Sequence, residues 1–342
     1  MRQTNWIDFA KGVAIFLVVL GHAIRGIKGS GLPIHSFWLE LDALIYAFHM
    51  PLFFALSGWF YVRSIAKRTF VSFAANRLER VVYPMILWTY IFFGCKFLAG
   101  SHANSPITAG DFPLIPLPGI LHFWFLWDLL VLSFMAYPLR FALRNDGIAP
   151  AVLVLAVVIA LGLQFIQMPS TASYWIGSAL KNAPFFLLGV VLGQARDFGR
   201  LGARGLVALA VVFVVVLAMW SNLANSELRP VGSLVLVVCV LGLIRDLDAR
   251  CPAGLRSVLC VLGTASMTIY VAHTIFSAAF REALIFAAVV DPSVLILVGT
   301  IVGILGPLAL LAVSRNLGIS RILGLEVSAA PLSNRYIASR TK

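Results

Sequence analysis

A chain of 342 residues with 61% hydrophobic and only 12% charged side chains has more apolar surface than a soluble core of that length can hide, which points to an integral membrane protein. The formal net charge of +12 would suit nucleic acid, but the basic residues are sorted between apolar segments. That pattern orients a membrane protein and gives no reason to expect a nucleic-acid partner.

Ten apolar segments of about membrane-spanning length follow one another near 7–26, 40–62, 82–99, 120–139, 149–167, 174–195, 205–223, 230–244, 257–280 and 294–314. Lipid offers no partners to backbone N–H and C=O groups, so each segment is predicted to be a helix. The expected fold is all-α, a polytopic bundle of about ten transmembrane helices. Alternate connections hold 19 and 6 Lys or Arg residues, with Lys11 left inside the first segment. The sparse side has Arg25, Lys28, Lys96, Lys181, Arg229 and Arg281. By the positive-inside rule both termini are cytoplasmic. Residues 1–314 read as one transmembrane domain and 315–342 as a basic cytoplasmic tail.

The first segment, "IDFAKGVAIFLVVLGHAIRG", lacks a convincing small-residue cleavage site and is expected to remain as a helix. An ionisable group in hydrocarbon costs about 2.5–3.5 kcal/mol on insertion scales, yet Asp8, Lys11 and His22 all lie in this segment. Lys11 and His22 are eleven residues apart, about three turns plus 20°, so they share a face some 16 Å apart along the axis, with Asp8 about 40° away. The stripe is predicted to face the bundle interior or an aqueous cavity. Lys11 either pairs with Asp8 and snorkels or serves a ligand, and helix geometry leaves both open.

The second segment contributes "FHMPLFFALSGWFY", with His49 facing either that cavity or a neighbouring helix. Pro51 here and Pro184 in the sixth segment each remove a backbone donor and bend the axis. The basic connection 63–81 contains "RLER", with Arg77 and Arg80 on one helix face. Guanidinium forks suit phosphate oxygens, although juxtamembrane charge beside lipid headgroups gives the same pattern. The connection "GSHANSPITAGDFPLIPLPG" (100–119) reads as irregular structure, with His102, like His35, solvated. His122 and Trp124 sit at an interface where aromatic residues are common. Asp128 is an intramembrane carboxylate and a candidate partner for Lys11 or a histidine. Tyr270 and His273, one turn apart, suit either core packing or orientation of a substrate. The four cysteines show neither a disulfide framework nor metal spacing, so no metal is expected. No short repeat or symmetry between halves is evident.

Lys11 followed after ten residues by His22, then "SGWF" at 57–60 and "RLER" at 77–80, resembles the acyltransferase-3 family of membrane O-acyltransferases. "HFWFL" at 122–126, "PFFLLG" at 184–189 and "IYVAH" at 269–273 are similar to further family segments in the same order. The wording around Lys11, His22 and His49 is most similar to the branch named for fucose 4-O-acetylases, although Lys11 stands where many relatives have arginine. The resemblance implies that His22 is catalytic and that Lys11, Arg77 and Arg80 hold acetyl-CoA, while His49 and Asp128 are further catalytic candidates read from their place inside spans. It further implies acetyl transfer from cytoplasmic acetyl-CoA to a carbohydrate hydroxyl of a surface or lipid-linked polysaccharide at the outer face of a bacterial inner membrane. His22 would act either as a general base or as a transient acyl carrier. The alternative is a polysaccharide or small-molecule exporter whose translocation path is lined by the polar stripe.

Overall fold

The computed structural model describes residues 6–65, 68–143, 149–194 and 202–325. The helices are α1 (Trp6–Gly29), α2 (Ser36–Ile65), α3 (Phe70–Arg77), α4 (Tyr83–Ala99), α5 (Trp124–Met135), α6 (Leu139–Ala142), α7 (Ala149–Gly162), α8 (Ser170–Ala172), α9 (Ser178–Gln194) and α10 (Ala203–Ala218). They continue with α11 (Trp220–Leu223), α12 (Arg229–Arg250), α13 (Ala253–Thr264), α14 (Ser266–Phe286) and α15 (Pro292–Asn316). Among the described residues there is no strand. Seven helical stretches are long and apolar enough to cross a membrane, and four shorter apolar helices join them. The protein is therefore a multi-pass membrane bundle.

α1 is the central element. It packs against α2, α12, α13, α14 and α15, and Ala10, Ala14, Ile15, Val18 and Val19 are among its fully buried residues. Without a hydrophobic force to press helices together in lipid, close packing depends on small residues that let backbones touch. Here they do so reciprocally. A Cβ on Gly12 would lie 1.9 Å from the Leu259 carbonyl oxygen of α13, and one on Gly263 would lie 1.8 Å from that of Asp8. The same device joins α2 to α9, where a Cβ on Gly58 would be 1.9 Å from the Phe186 oxygen and one on Gly189 1.9 Å from the Ala55 oxygen. Pro51 and Pro184 both lie inside continuous helices, α2 and α9.

Three expected segments have other boundaries. The stretch 257–280, predicted as one span, is two helices that meet at Ala265, whose backbone leaves the helical region at φ −93°, ψ 6°. Thr264 weakens the turn by bonding back to the Val261 carbonyl at 2.9 Å, and Gly263 is held against α1. The third span begins earlier than 82. Thr69 caps α3 by accepting from the Ser72 N–H, and a π-helical turn, Leu78–Val82, joins α3 to α4 without a break. The last apolar segment, predicted at 294–314, is slightly longer at both ends. α15 runs to Asn316, and the segment after it folds back, so that the Leu323 and Leu325 carbonyls accept from Trp88 Nε1 at 2.9 Å and Thr268 Oγ1 at 3.1 Å. The remainder of the predicted tail, with Arg335, Arg340 and Lys342, lies outside the described residues.

The connection 100–119 is irregular, as expected, with short 3-10 turns at Gly100–His102 and Ala109–Asp111. The Thr108 backbone N–H and hydroxyl both donate to Asp111 and hold its carboxyl below the usual carboxylate range.

Candidate active site

The polar stripe of α1 touches a cavity at each end. Near its N-terminus, Lys11 Nζ lies 3.5 Å from Asp8 Oδ1 and 4.1 Å from the centre of the Phe60 ring. Lys11 thus keeps the Asp8 pairing and still lines a cavity of about 330 Å3, together with Ser57, Phe60, Arg77, Arg80 and Tyr270. Residues 66 and more positions apart in the chain are brought together as the sequence suggested. Arg77 lies 5.1 Å from the Phe73 ring and 5.7 Å from that of Tyr61, and the Tyr61 hydroxyl is itself fixed by donating to the Ser133 carbonyl at 2.6 Å. Arg77 Nε is buried with no hydrogen-bond partner among the described residues. Arg80 follows on the π turn, a feature that occurs often at functional sites because it alters side-chain register. The cavity therefore concentrates cationic donors suited to phosphate oxygens.

"SGWF" also acquires a physical explanation. Gly58 lets α2 meet the α9 backbone, while Ser57 and Phe60 line the cavity on either side of it.

Farther along the stripe, His22 lines a second cavity of about 390 Å3 between α1, α4 and α14. Three of the six basic residues from the sparse side, Arg25, Lys96 and Arg281, line it too. Arg25 is bound by both Asp42 oxygens at 3.0 and 3.1 Å. Arg281 donates to Glu282 at 2.9 Å and to the Asn104 side-chain oxygen at 2.8 Å.

Two further histidines flank His22. The His273 ring centre lies 5.0 Å from that of His22, the His122 ring centre 6.1 Å from it, and the two flanking rings are 5.7 Å apart. Both flanking side chains are buried, and the Nε2 atom of each has no hydrogen-bond partner among the described residues. No group of three or more His, Cys, Asp or Glu among the described residues is arranged to hold a metal ion.

The two cavities share no lining residue. Tyr270 lines the first, donates from its hydroxyl to the His122 carbonyl and packs 5.5 Å from Phe125. His273 follows one turn later beside His22. Tyr270, Phe125 and His122 therefore form the partition between the two chambers.

The other sequence candidates have local partners. His49 Nδ1 bonds the Ile45 carbonyl at 2.8 Å, and its ring packs 4.4 Å from that of Tyr46. Asp128, expected beside Lys11 or a histidine, instead accepts from Ser178 Oγ at 2.7 Å and Asn182 Nδ2 at 3.2 Å, which joins α5 to α9. An Asp128→Leu protein would leave both donors without this acceptor, at about 1–3 kcal/mol for each one left unsatisfied. It is expected to melt at a clearly lower temperature in detergent, whereas Asp128→Asn, which keeps an acceptor oxygen, stays near the parent. Equal melting of the leucine protein and the parent would refute this account.

The acyltransferase-3 family, described as an acyltransferase domain, matches residues 4–312. The chain belongs to this family. It is also 36% identical over 195 residues to nodulation protein NolL of Sinorhizobium fredii, which covers 56% of this chain and 49% of that protein. Nodulation protein NolL of Mesorhizobium japonicum is 30% identical over 191 residues, 55% of this chain and 47% of that protein. The chain thus spans about half the length of the curated relatives it matches. No solved structure matches it.

Within this acyltransferase-3 chain, sequence reasoning missed the joining of His122 and His273 to His22. The one available signal was that "HFWFL" and "IYVAH", like the stripe of α1, are family segments containing a histidine. No helical period relates residues on three separate elements.

Proposed function

We propose that this chain is a membrane O-acyltransferase that moves an acetyl group from cytoplasmic acetyl-CoA to a carbohydrate hydroxyl at the opposite face of a bacterial inner membrane. The observation that supports this reading best is the shared cavity of Lys11, Arg77 and Arg80 at one end of the stripe that has His22 at the other. A coenzyme with several phosphates matches the cationic chamber, and its long pantetheine arm suits a site that must deliver a thioester about 16 Å along α1. The acceptor is a surface or lipid-linked polysaccharide, which enters the chamber lined by His22. His22, as a neutral imidazole, takes the hydroxyl proton while that oxygen attacks the thioester carbonyl. The C–O bond forms, the C–S bond breaks, and the proton passes to the departing thiolate. Asp128 and His49 support the helices that frame the site.

The test uses native membrane vesicles and radiolabelled acetyl-CoA, with label counted in the glycan fraction. Arg77→Ala together with Arg80→Ala is expected to raise KM for acetyl-CoA at least about a hundredfold, since each charged hydrogen bond lost contributes about 1.5–3 kcal/mol and two are removed. The acceptor KM stays unchanged. An unaltered acetyl-CoA KM would overturn the donor site, and glycan translocation without acetyl-CoA consumption would establish an exporter instead.

A further inference from the structure

The carboxylates nearest the His22 chamber are already engaged. Asp42 holds Arg25, Glu282 holds Arg281, and Asp128 accepts from Ser178 and Asn182. A histidine that works as a base needs a neighbour to fix which nitrogen holds its hydrogen, and that neighbour is commonly a carboxylate or carbonyl. Around His22 the closest ring is His273, with centres 5.0 Å apart.

The hydrogen-bonding state of His273 follows from its own helix. Its Nδ1 lies 2.8 Å from the Tyr270 carbonyl oxygen and 3.0 Å from that of Ile269. Carbonyl oxygens only accept, so Nδ1 bears the hydrogen, and in the neutral ring Nε2 presents a lone pair. That Nε2 is buried with no partner among the described residues, and His273 as a whole has 0% exposure. An acceptor with fixed tautomer therefore stands beside His22. At this ring spacing, nitrogens turned toward each other come within hydrogen-bonding reach. Such contacts are commonly loose before substrate arrives and tighten afterwards.

We propose that His273 is a positioning residue whose Nε2 accepts the N–H of His22, so that the other His22 nitrogen faces the chamber with its lone pair. The inference rests on the reading of this chamber as an acyl-transfer site. When His22 takes the proton of the acceptor hydroxyl, the His22 N–H that faces His273 becomes a donor from a charged ring, and the hydrogen bond strengthens. His273 neither gains nor loses a proton in the cycle. The proton gained by His22 leaves with the thiolate. A neutral orienting partner also avoids burying an unpaired negative charge in the middle of the bundle. His122, farther from His22 at 6.1 Å between ring centres, is tied instead to the partition by the bond from Tyr270 to its carbonyl.

The test compares His273→Leu and His273→Gln in the full chain, in native membrane vesicles with radiolabelled acetyl-CoA. Leucine removes the acceptor. Glutamine restores an acceptor oxygen near the position of Nε2. His273→Leu is expected to lower kcat by about a hundredfold with the acetyl-CoA KM within twofold of the parent, and His273→Gln to recover at least tenfold of that loss. A merely structural role would lower stability and donor binding together, and glutamine would not rescue kcat selectively. If the parent transfers acetyl groups and His273→Leu matches it in kcat, the positioning role is overturned while the acyltransferase reading stands. Equal kcat loss in the leucine and glutamine proteins overturns it as well. If the parent transfers no acetyl group, both fall.

Discussion

Replacing His22 by alanine is expected to reduce acetyl transfer by about 10²–10⁴-fold, the contribution of a positioned general base, while acetyl-CoA still binds. The expectation follows from the division of α1. His22 lines the chamber between α1, α4 and α14, whereas Lys11, Arg77 and Arg80 line the other. The two ends of the stripe are about 16 Å apart by helical rise, so removing the imidazole leaves the cationic chamber untouched. The measurement is a pair of values for the same purified protein, namely the rate of label transfer from acetyl-CoA and the dissociation constant for coenzyme A. Loss of both together would point to misfolding, and His22→Gln then provides a side chain of similar bulk that cannot act as a base at neutral pH. A His22→Ala protein that transfers acetyl at the parent rate would remove His22 from the chemistry.

A large effect on folding is expected at Gly58. A single added methyl group there would sit 1.9 Å from the Phe186 oxygen and 3.0 Å from the Val190 nitrogen, both backbone atoms that cannot swing aside. α2 and α9 would have to separate along the seam that Gly189 and Ala55 share from the other side. Overpacking in a core costs about 1–3 kcal/mol and occasionally more, and a backbone-to-backbone contact belongs at the upper end. Gly58→Ala is expected to lower the melting temperature of the detergent-solubilised protein sharply, and Gly58→Leu to abolish its monodisperse peak on size-exclusion chromatography. Activity should fall as well, because Ser57 and Phe60 on the same turn line the cationic chamber and Phe60 lies under Lys11. Gly94 in α4 provides the contrast, since a Cβ there would meet nothing within 4 Å. Gly94→Ala is expected to leave stability unchanged or slightly raised, as removing a helical glycine favours the helix by roughly 0.4–1 kcal/mol. Equal melting of Gly58→Ala and Gly94→Ala would show that the α2–α9 seam does not need its glycine.

How much of this was legible beforehand depends on how far each feature reaches along the chain. The stripe Asp8, Lys11 and His22 lies on one helix, and a rotation of about 100° per residue is enough to place it. Arg77 and Arg80 lie on one short stretch, so their common face was also accessible, although the π turn under Arg80 was not. The convergence of Arg77 with Lys11 in one cavity came through the family resemblance, since helical geometry alone favoured lipid headgroups as their partners. The partners of Asp128 were out of reach because Ser178 and Asn182 are about 50 residues away on a helix whose rotation nothing local specifies. The break at Ala265 was hidden by hydropathy, which runs across it without interruption. Gly263 just before it is held against the Asp8 carbonyl of α1, a tertiary fact. His273 shows the same limit, because its meaning depends on a ring that belongs to another helix.

The partition of Tyr270, Phe125 and His122 has an electrical consequence. A polar stripe that runs the length of a central helix resembles the lining of a conduit, and a water-filled route along it would dissipate the ion gradients on which the membrane depends. Here the chambers stay separate, each with its own lining, and the aromatic rings between them are packed 5.5 to 5.9 Å apart. An ion that enters from either side meets closely packed aromatic side chains where it would need water, and its desolvation there is costly. On the proposed reading the slender pantetheine arm has to pass these rings to reach His22, so the partition must admit an acyl chain while it bars a hydrated ion.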